Sequence, residues 1–132
     1  MKQVEGRIGP ERYVTTLSTR DLEWTADEPV DLGGTNAGPT PIEQLLGALG
    51  GCILVTITLY TDRKKWPLEN AKVVVRAETD KTSKLLGFEY ELTLEGDLSD
   101  EQRQRIHAIS HKCPVHQVLE SGAKVVSVGA GH

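Results

Sequence analysis

The longest hydrophobic pattern in the chain has the three- and four-residue steps of an α-helix with one buried face. Its members are Ile42, Leu45, Leu46, Leu49, Cys52, Ile53, Ile57 and Tyr60. Thr40, Pro41 and Glu43 open the segment as a capping box with proline at the first helical position. The helix is expected to end near Lys64, ahead of the next proline. The pattern therefore predicts one long helix that carries Cys52 on its buried face.

Strands are predicted on both sides of this helix. Residues 12–19 are rich in β-branched side chains and follow a Gly-Pro turn signal, which indicates a hairpin, and residues 23–26 are a candidate third strand. Residues 88–95 alternate apolar and polar side chains without interruption, and residues 71–78 contain a run of valines. The short polar link over residues 81–84 favours an antiparallel pair.

Two further helices and a final strand complete the predicted order. Ser99 opens a second capping box and a helix that reaches about Lys112, and a short helix follows over residues 114–120. The valine-rich residues 125–128 are the candidate last strand. This order is typical of the α+β class, and the chain is long enough for one domain, expected to comprise residues 1–132.

Charge and the amino terminus narrow the class of protein. Lys and Arg number 15 against 19 for Asp and Glu, and the longest basic run is only three residues, 63–65. Because a nucleic-acid interface needs a clustered basic face, no nucleic-acid partner is expected. Residues 1–7 lack an apolar signal core, which favours a cytoplasmic location.

The central helix is apolar enough to be compared with a membrane span. The 18 residues from Gln44 to Thr61 carry no charge, which reaches the minimum length for crossing a bilayer. Three glycines, three threonines and Gln44 dilute the segment, and no interfacial anchor flanks it. We therefore interpret it as a core helix, covered by other elements or by a partner chain, and expect no membrane partner.

Cys52 and Cys113, the two cysteines of the chain, carry its candidate chemistry. Cys113 precedes Pro114 and is predicted to be the N-cap of the following helix, where free N–H groups and the helix dipole would lower the pKa of its thiol. Lys112 and the neighbouring histidines would act in the same direction if they approach. A cysteine at this position can equally be structural.

The setting of Cys52 also leaves two interpretations open. A thiol on an apolar helix face is usually inert packing. Gly50 and Gly51, however, each cost about 1 kcal/mol relative to alanine inside a helix, which is tolerated where another helix, a partner chain or a substrate must come close.

Three arrangements of the thiols are conceivable. A structural disulfide is disfavoured in a reducing compartment. A zinc site could recruit His111 and His116 beside the two cysteines, but their spacing matches no common zinc motif. In a redox pair, one thiolate attacks an oxidised substrate and becomes a sulfenic acid, which the other thiol resolves as a disulfide.

Three segments resemble the OsmC/Ohr family, the osmotically induced and organic-hydroperoxide-resistance proteins. They are Gly38-Pro39-Thr40-Pro41-Ile42-Glu43-Gln44-Leu45-Leu46 running to Gly51-Cys52, then Tyr60-Thr61-Asp62-Arg63-Lys64-Lys65-Trp66-Pro67-Leu68-Glu69, and Lys112-Cys113-Pro114-Val115-His116. The predicted element order is similar to that of the family from end to end.

The resemblance implies an OsmC-like α+β fold in which antiparallel sheets pack around the long central helix and two chains interlock as a homodimer with active sites at their interface. In peroxidase members of the family the first cysteine attacks the hydroperoxide and the second resolves it. By position these are Cys52 and Cys113. No cofactor and no metal are implied.

The sequence departs from the family at one position. The well-characterised peroxidases place a glutamate directly after the helix-opening proline, where it orients an arginine that supports the thiolate, whereas this chain has Ile42. Glu43 lies about 100° further around the helix. Arg7, Arg12 and Arg20 are candidates for the arginine, and no motif distinguishes among them. The chain looks closer to the less characterised branch described as predicted redox proteins.

The leading hypothesis is a cofactor-free thiol peroxidase or dithiol redox protein of the oxidative stress response. Its partners would be a second copy of the chain, a small organic hydroperoxide and an external dithiol reductant. The alternative hypothesis is a non-enzymatic dimer that senses oxidants or binds a small apolar ligand.

Overall fold

The computed structural model describes residues 1–129, which divide into two compact units, residues 1–47 and the residues from Ala48 onward. The elements in chain order are β1 (Glu5–Ile8), β2 (Thr15–Thr19), β3 (Leu22–Ala26), α1 (Pro41–Lys64), β4 (Leu68–Thr79), β5 (Leu85–Gly96), α2 (Asp100–Ser110) and α3 (Pro114–Ser121), with a 3-10 turn over Val30–Leu32. The chain is α+β with two antiparallel sheets, as its sequence predicts.

The first unit contains the three-stranded sheet in the order β1-β2-β3. β1 and β2 pair antiparallel across the predicted hairpin, with Glu5 opposite Ser18. β2 and β3 pair from Thr15 opposite Ala26 to Thr19 opposite Leu22. Both predicted strands are therefore confirmed, although the first begins at residue 15 instead of residue 12.

The loop between β3 and α1 is organised by the buried carboxylate of Asp27. Its oxygens accept hydrogen bonds from the backbone N–H of Glu28 (2.7 Å), Thr35 (3.1 Å) and Ala37 (3.0 Å), and from the hydroxyl of Thr35 (2.7 Å). A side chain at Gly38 would place its Cβ 2.3 Å from the carbonyl oxygen of Thr25, so only glycine fits there. These contacts fix the approach to α1.

Helix α1 begins and ends where the sequence predicts. Glu43 Oε1 accepts from the backbone N–H of Thr40 at 2.9 Å, and Thr40 Oγ1 accepts from the backbone N–H of Glu43 at 3.1 Å, which is the predicted capping box. Lys65, the residue after the helix, adopts a left-handed conformation with φ of 59°.

The apolar surface of α1 is covered on only one side. Its buried residues are Leu49, Gly50, Ile53, Ile57, Tyr60 and Thr61. Val55 and Leu59, on the other side, are 60% and 64% exposed. By length and composition alone the helix could cross a membrane, a test that core helices of soluble proteins also pass. The other elements of the described chain therefore cover only one side of α1.

In the second unit, β4 and β5 form the predicted antiparallel pair and extend beyond its predicted bounds at both ends. Val73 lies opposite Leu92, and Val75 lies opposite Tyr90. A Cβ built on Gly50 would lie 3.2 Å from methyl groups of Val73 and Val75. Strand β4 of the same chain is thus the element that approaches this glycine of α1.

Helices α2 and α3 complete the second unit. Ser99 and Gln102 form the predicted capping box of α2, and α3 ends at Gly122 as expected. One hydrophobic cluster contains Ile57, Tyr60, Leu94, Leu98, Ile106 and Ile109, and another contains Leu49, Ile53 and Cys113. The second cluster holds the candidate site.

The predicted last strand is wrong for the described part of the chain. Residues 122–128 have no regular secondary structure, and Val125 and Val128 are more than nine-tenths exposed. A strand requires a neighbouring strand for its backbone hydrogen bonds, and none of the five described strands pairs with this segment.

Candidate functional site

Cys113 occupies the N-cap of α3, as the sequence predicts. Pro114 disfavours a helical conformation at the residue before it and starts the helix, so Cys113 stays extended with φ of −55° and ψ of 129°. The backbone N–H of His116 donates to Cys113 Sγ at 3.4 Å. Cys113 is completely buried.

Cys52 lies on α1 between Leu49 and Ile53 on the helix surface, and it packs against the buried cluster that contains Cys113. Cys52 is close enough to Cys113 to raise the pKa of the Cys113 thiol. Cys52 is half-buried, and both cysteines are free thiols. The fold therefore brings the two predicted site residues together from positions 61 residues apart.

The predicted lowering of the pKa of Cys113 is wrong. Burial raises the pKa of its thiol, and the neighbouring Cys52 raises it further. The backbone N–H groups of His116 and Val115 lower the pKa, but by less. Desolvation of a completely buried thiolate therefore outweighs the favourable end of the helix, and Cys113 is a protonated thiol at neutral pH.

A cavity of about 310 Å³ lies between β5 and α3. It is lined by Leu49, Gly87, Phe88, Tyr90, His116, Leu119 and Glu120. Leu49, Phe88 and Leu119 also pack in the cluster that holds both cysteines. The cavity lining thus combines apolar side chains with the polar side chains of Tyr90, His116 and Glu120.

One of the polar residues that line the cavity has an unsatisfied atom. His116 Nδ1 is buried and has no hydrogen-bond partner among residues 1–129, while its Nε2 lies 3.9 Å from Glu120 Oε1. Tyr90 is fixed by a 2.8 Å hydrogen bond between its hydroxyl and Ser110 Oγ. The rings of Tyr90, His111 and His116 contact one another, with 5.1 Å between the two imidazole centroids.

The zinc alternative gains no support from the geometry. Within the described part of the chain, no group of three or more His, Cys, Asp and Glu side chains is placed to hold a metal ion. The sequence offers His111 and His116 as ligands beside the cysteines. Their imidazole rings instead pack against each other and against Tyr90.

The structure also shows the surroundings of Ile42, the residue at which the sequence departs from the peroxidase pattern. Ile42 is 43% exposed on the first turn of α1. Glu43 is occupied by the capping box, so its carboxylate is committed to Thr40. Of the candidate arginines in the first unit, Arg12 stacks on Tyr13 with 5.3 Å between guanidinium carbon and ring centroid.

Sequence reasoning missed the part of the site built by α3. It assigned His116 only as a possible metal ligand or a nearby charge, and it did not anticipate Tyr90, Glu120 and the cavity. The i,i+4 spacing of His116 and Glu120 is a local signal that could have indicated their pairing on one helix face. The cavity has no such signal because β5 and α3 are brought together only by the tertiary structure.

Comparison with known families gives a match over most of the chain. Residues 34–128 match the family described as OsmC-like protein. This segment includes α1, both cysteines and the cavity-lining residues. No protein among the curated sequences matches this chain significantly.

Solved structures with the same fold come from several bacteria. The OsmC-like protein from Mycoplasma pneumoniae superposes with a TM-score of 0.80 at 18% identity, over 92% of this chain and 89% of that chain. The organic hydroperoxide resistance protein OsmC from Legionella pneumophila, also described as a predicted redox protein, has a TM-score of 0.68 at 18% identity, over 90% and 88%.

A third similar structure is the organic hydroperoxide resistance protein from Elizabethkingia anophelis, solved with thiocyanate bound. Its TM-score is 0.66 at 18% identity, over 92% of this chain and 89% of that chain. At these identities the likeness establishes a common fold.

Proposed function

Since this chain belongs to the OsmC-like family, we propose that it is a cytoplasmic thiol peroxidase that reduces small organic hydroperoxides through Cys52 and Cys113. The two thiols supply the two electrons of each turnover, so the proposed cycle needs no cofactor. An external dithiol restores the reduced state. Two of the similar structures are named organic hydroperoxide resistance proteins, which supports this class of substrate.

The observation that carries the proposal is the contact between two thiols of unequal exposure. Cys52 is half-buried and reachable by a small substrate, whereas Cys113 is completely buried against it. This inequality supports Cys52 as the attacking residue and Cys113 as the resolving one. These are the roles that the resemblance implies for the two cysteines.

The proposed cycle has three balanced steps. The Cys52 thiol loses its proton to solvent, and the thiolate attacks the terminal oxygen of the hydroperoxide. The O–O bond breaks, Cys52 becomes a sulfenic acid, and the leaving alkoxide takes up a proton from solvent and departs as an alcohol. Cys113 then attacks the Cys52 sulfur, which forms the disulfide and releases water. Thiol–disulfide exchange with the external dithiol returns both cysteines to thiols and leaves that reductant as a disulfide.

The apolar walls beside the thiols fit the substrate class. Leu49, Phe88 and Leu119 line the cavity and pack in the cluster that holds the cysteines. Such walls favour a hydroperoxide with an organic body over hydrogen peroxide, because burial of apolar surface contributes roughly 25 cal/mol per Å².

The assembly is proposed to be an interlocked homodimer. Val55 and Leu59 on α1, together with Val125 and Val128 near the end of the described chain, are large apolar residues with more than half of their surface exposed. β4 and β5 form a two-stranded sheet whose outer edges have no partner strand among the described residues. A second copy would cover both features.

The test is turnover of cumene hydroperoxide with a dithiol reductant by matched serine variants. Cys52→Ser is expected to lose activity completely, because the attacking sulfur is absent. Cys113→Ser is expected to react once, to accumulate a sulfenic acid at Cys52 that dimedone traps, and to turn over much more slowly. Thermal melting of both variants checks that they are folded. A Cys52→Ser protein as active as wild type contradicts the proposal.

Ile42 favours a second candidate, a dimeric oxidant sensor or small-ligand-binding protein. The peroxidase-type glutamate is absent at this position, and the exposed Ile42 side chain offers no charge to orient an arginine. Titration with peroxide separates the two functions. Continuous dithiol-dependent consumption supports the peroxidase, whereas oxidation by one equivalent without further turnover supports the sensor.

A further inference from the structure

The cavity between β5 and α3 lies beside the cluster that holds both thiols. Leu49, which lines the cavity, precedes Cys52 by three residues on α1, so the two side chains are neighbours on that helix with Cβ atoms about 5–6 Å apart. A volume of about 310 Å³ is at the lower end of the range for small-molecule sites. The cavity is therefore placed to hold the organic body of a substrate whose reacting end is at Cys52.

Glu120 lines the same cavity two helical turns away from Cys113. Cys113 is the N-cap of α3 and Glu120 comes seven residues later, which is a rise of about 10 Å along the helix axis. Seven residues also make about two full turns, so Cys113 and Glu120 lie on the same face of α3. A substrate that lies along this face with its hydroperoxide group at the thiols extends toward Glu120.

The cavity lining carries a negative charge. Glu120 is the acidic residue among the described lining residues, and neither lysine nor arginine is one of them. Its side chain is 72% exposed, and a solvated carboxylate is ionised at neutral pH. His116 Nε2 lies 3.9 Å from Glu120 Oε1, so His116 offsets this charge only when its imidazole is protonated.

Arg76 is a cation close to the cavity, and two carboxylates compensate its charge. It lines an adjoining cavity that shares two lining residues with this one. Its guanidinium lies 2.8 Å from Glu91 Oε2 and 3.6 Å from Glu89 Oε1. Because Arg76 is held in this way on β4, it offers no free positive charge to an anion in the cavity, and Glu120 determines the charge that a bound molecule meets.

We propose that the cavity receives the organic body of a neutral hydroperoxide, and that Glu120 discriminates against substrates that carry a carboxylate at the far end of that body. This inference rests on the proposed peroxidase function. Two carboxylates about 4 Å apart in water repel each other enough to weaken binding about five-fold. An uncharged substituent of the same shape avoids this repulsion. Glu120 is thus a specificity-determining residue, and the chemical step remains with the two cysteines.

The test compares cumene hydroperoxides that carry a para-carboxamide or a para-carboxylate, with a dithiol reductant at pH 8, where imidazoles are largely uncharged. Wild-type protein is expected to prefer the amide, measured as the ratio of the two kcat/KM values. Glu120→Gln keeps the shape of the side chain without its charge and should lower this ratio about five-fold. Glu120→Lys should lower it further. Glu101→Gln on α2 removes the same charge away from the cavity and should keep the wild-type ratio.

Ionic strength separates an effect of charge from an effect of shape. The screening length falls from about 30 Å at 0.01 M salt to about 3 Å at 1 M, so the wild-type ratio should approach that of Glu120→Gln as salt is added. Leu119→Ala removes an apolar lining side chain and should weaken both substrates several-fold and alike. Equal ratios in wild type and Glu120→Gln at low salt overturn the inference, as does an equal decrease in Glu101→Gln.

Binding of the two product alcohols separates this inference from the peroxidase function, because the alcohols are not reduced. NMR titration of the reduced protein gives their dissociation constants and should shift the resonances of Phe88 and Leu119. A preference for the amide that Glu120→Gln lowers supports the role of Glu120 even if neither hydroperoxide is turned over, in which case only the peroxidase function falls. Alcohols that do not bind, that shift resonances elsewhere, or that show the same preference in Glu120→Gln overturn it even if peroxide turnover is observed.

Discussion

At the scale of single residues, Asp27 is a buried carboxylate that is stabilised by hydrogen bonds from neutral donors. Its charge is stabilised by hydrogen bonds from the backbone N–H of Ala37, the hydroxyl of Thr35 and further backbone N–H groups, which hold its pKa at about 2. Such donors solvate the charged form in place of water. The carboxylate therefore organises the loop before α1 only while it is ionised.

Asp27 should make the stability of the protein sensitive to acid. A pKa lowered from 3.8 to about 2 contributes stability above pH 4, and this contribution is lost as the pH falls through 2. Asp27→Asn is expected to lower the melting temperature at pH 7, because an amide nitrogen cannot accept the bonds that one carboxylate oxygen accepts. The difference in melting temperature between the wild type and this variant should shrink as the pH falls from 4 to 2. Asp21→Asn, at an exposed site, is the control, and a difference that stays constant with pH contradicts the assignment.

At the scale of elements, the junction of β5 and α2 depends on one guanidinium. Arg103 on α2 donates from Nη1 to Leu94 O and from Nη2 to Gly96 O, both at 2.9 Å, and from Nε to Leu98 O at 3.3 Å. These carbonyls follow one another where the strand ends. The N–H groups of the Arg103 guanidinium thus join the start of α2 to the end of β5.

Arg103→Lys should weaken this junction although the charge is kept. A single ammonium group cannot reach three carbonyls with the geometry of a guanidinium, and the lost bonds should lower the free energy of unfolding by about 1–3 kcal/mol. Denaturant titration measures the change. The exposed Arg63→Lys serves as the control, and equal stability of the two variants would show that the junction does not depend on the fork.

At the scale of the whole molecule, the uncovered side of α1 is the feature that a single chain does not explain. Val55 and Leu59 share this side, and both are more than half exposed on a helix that is otherwise apolar. Large exposed apolar surfaces are typical of interfaces. The proposed homodimer accounts for them by burying α1 against a second copy.

The double variant Val55→Lys/Leu59→Lys should therefore be monomeric. Wild-type protein is expected to elute with twice the chain mass of 14.5 kDa, and the variant with the mass of one chain. The reason is that two ammonium groups would have to be buried in the interface without partners. Light scattering after size exclusion measures both masses, with Glu101→Lys on the exposed side of α2 as the charge control. Wild-type protein at 14.5 kDa would contradict the dimer.

The sequence alone determined the local features of this protein. The capping boxes at Thr40 and Ser99, the position of Cys113 before Pro114 and the pairing of β4 with β5 were predictable, because each depends on residues close together in the chain. The motifs around Cys52 and Cys113 also indicate the family by themselves, since each is a short run of neighbouring residues.

Tertiary structure decided what depends on distant residues. The contact of Cys52 with Cys113, the raised pKa of the Cys113 thiol and the cavity beside His116 arise where α1, β5 and α3 meet. Desolvation is a property of everything packed around an atom, so a local helix-dipole argument predicted the wrong direction for Cys113. For the same reason the valines of residues 125–128 carry strand-forming side chains but form no strand, since pairing requires a neighbour that the sequence pattern does not specify.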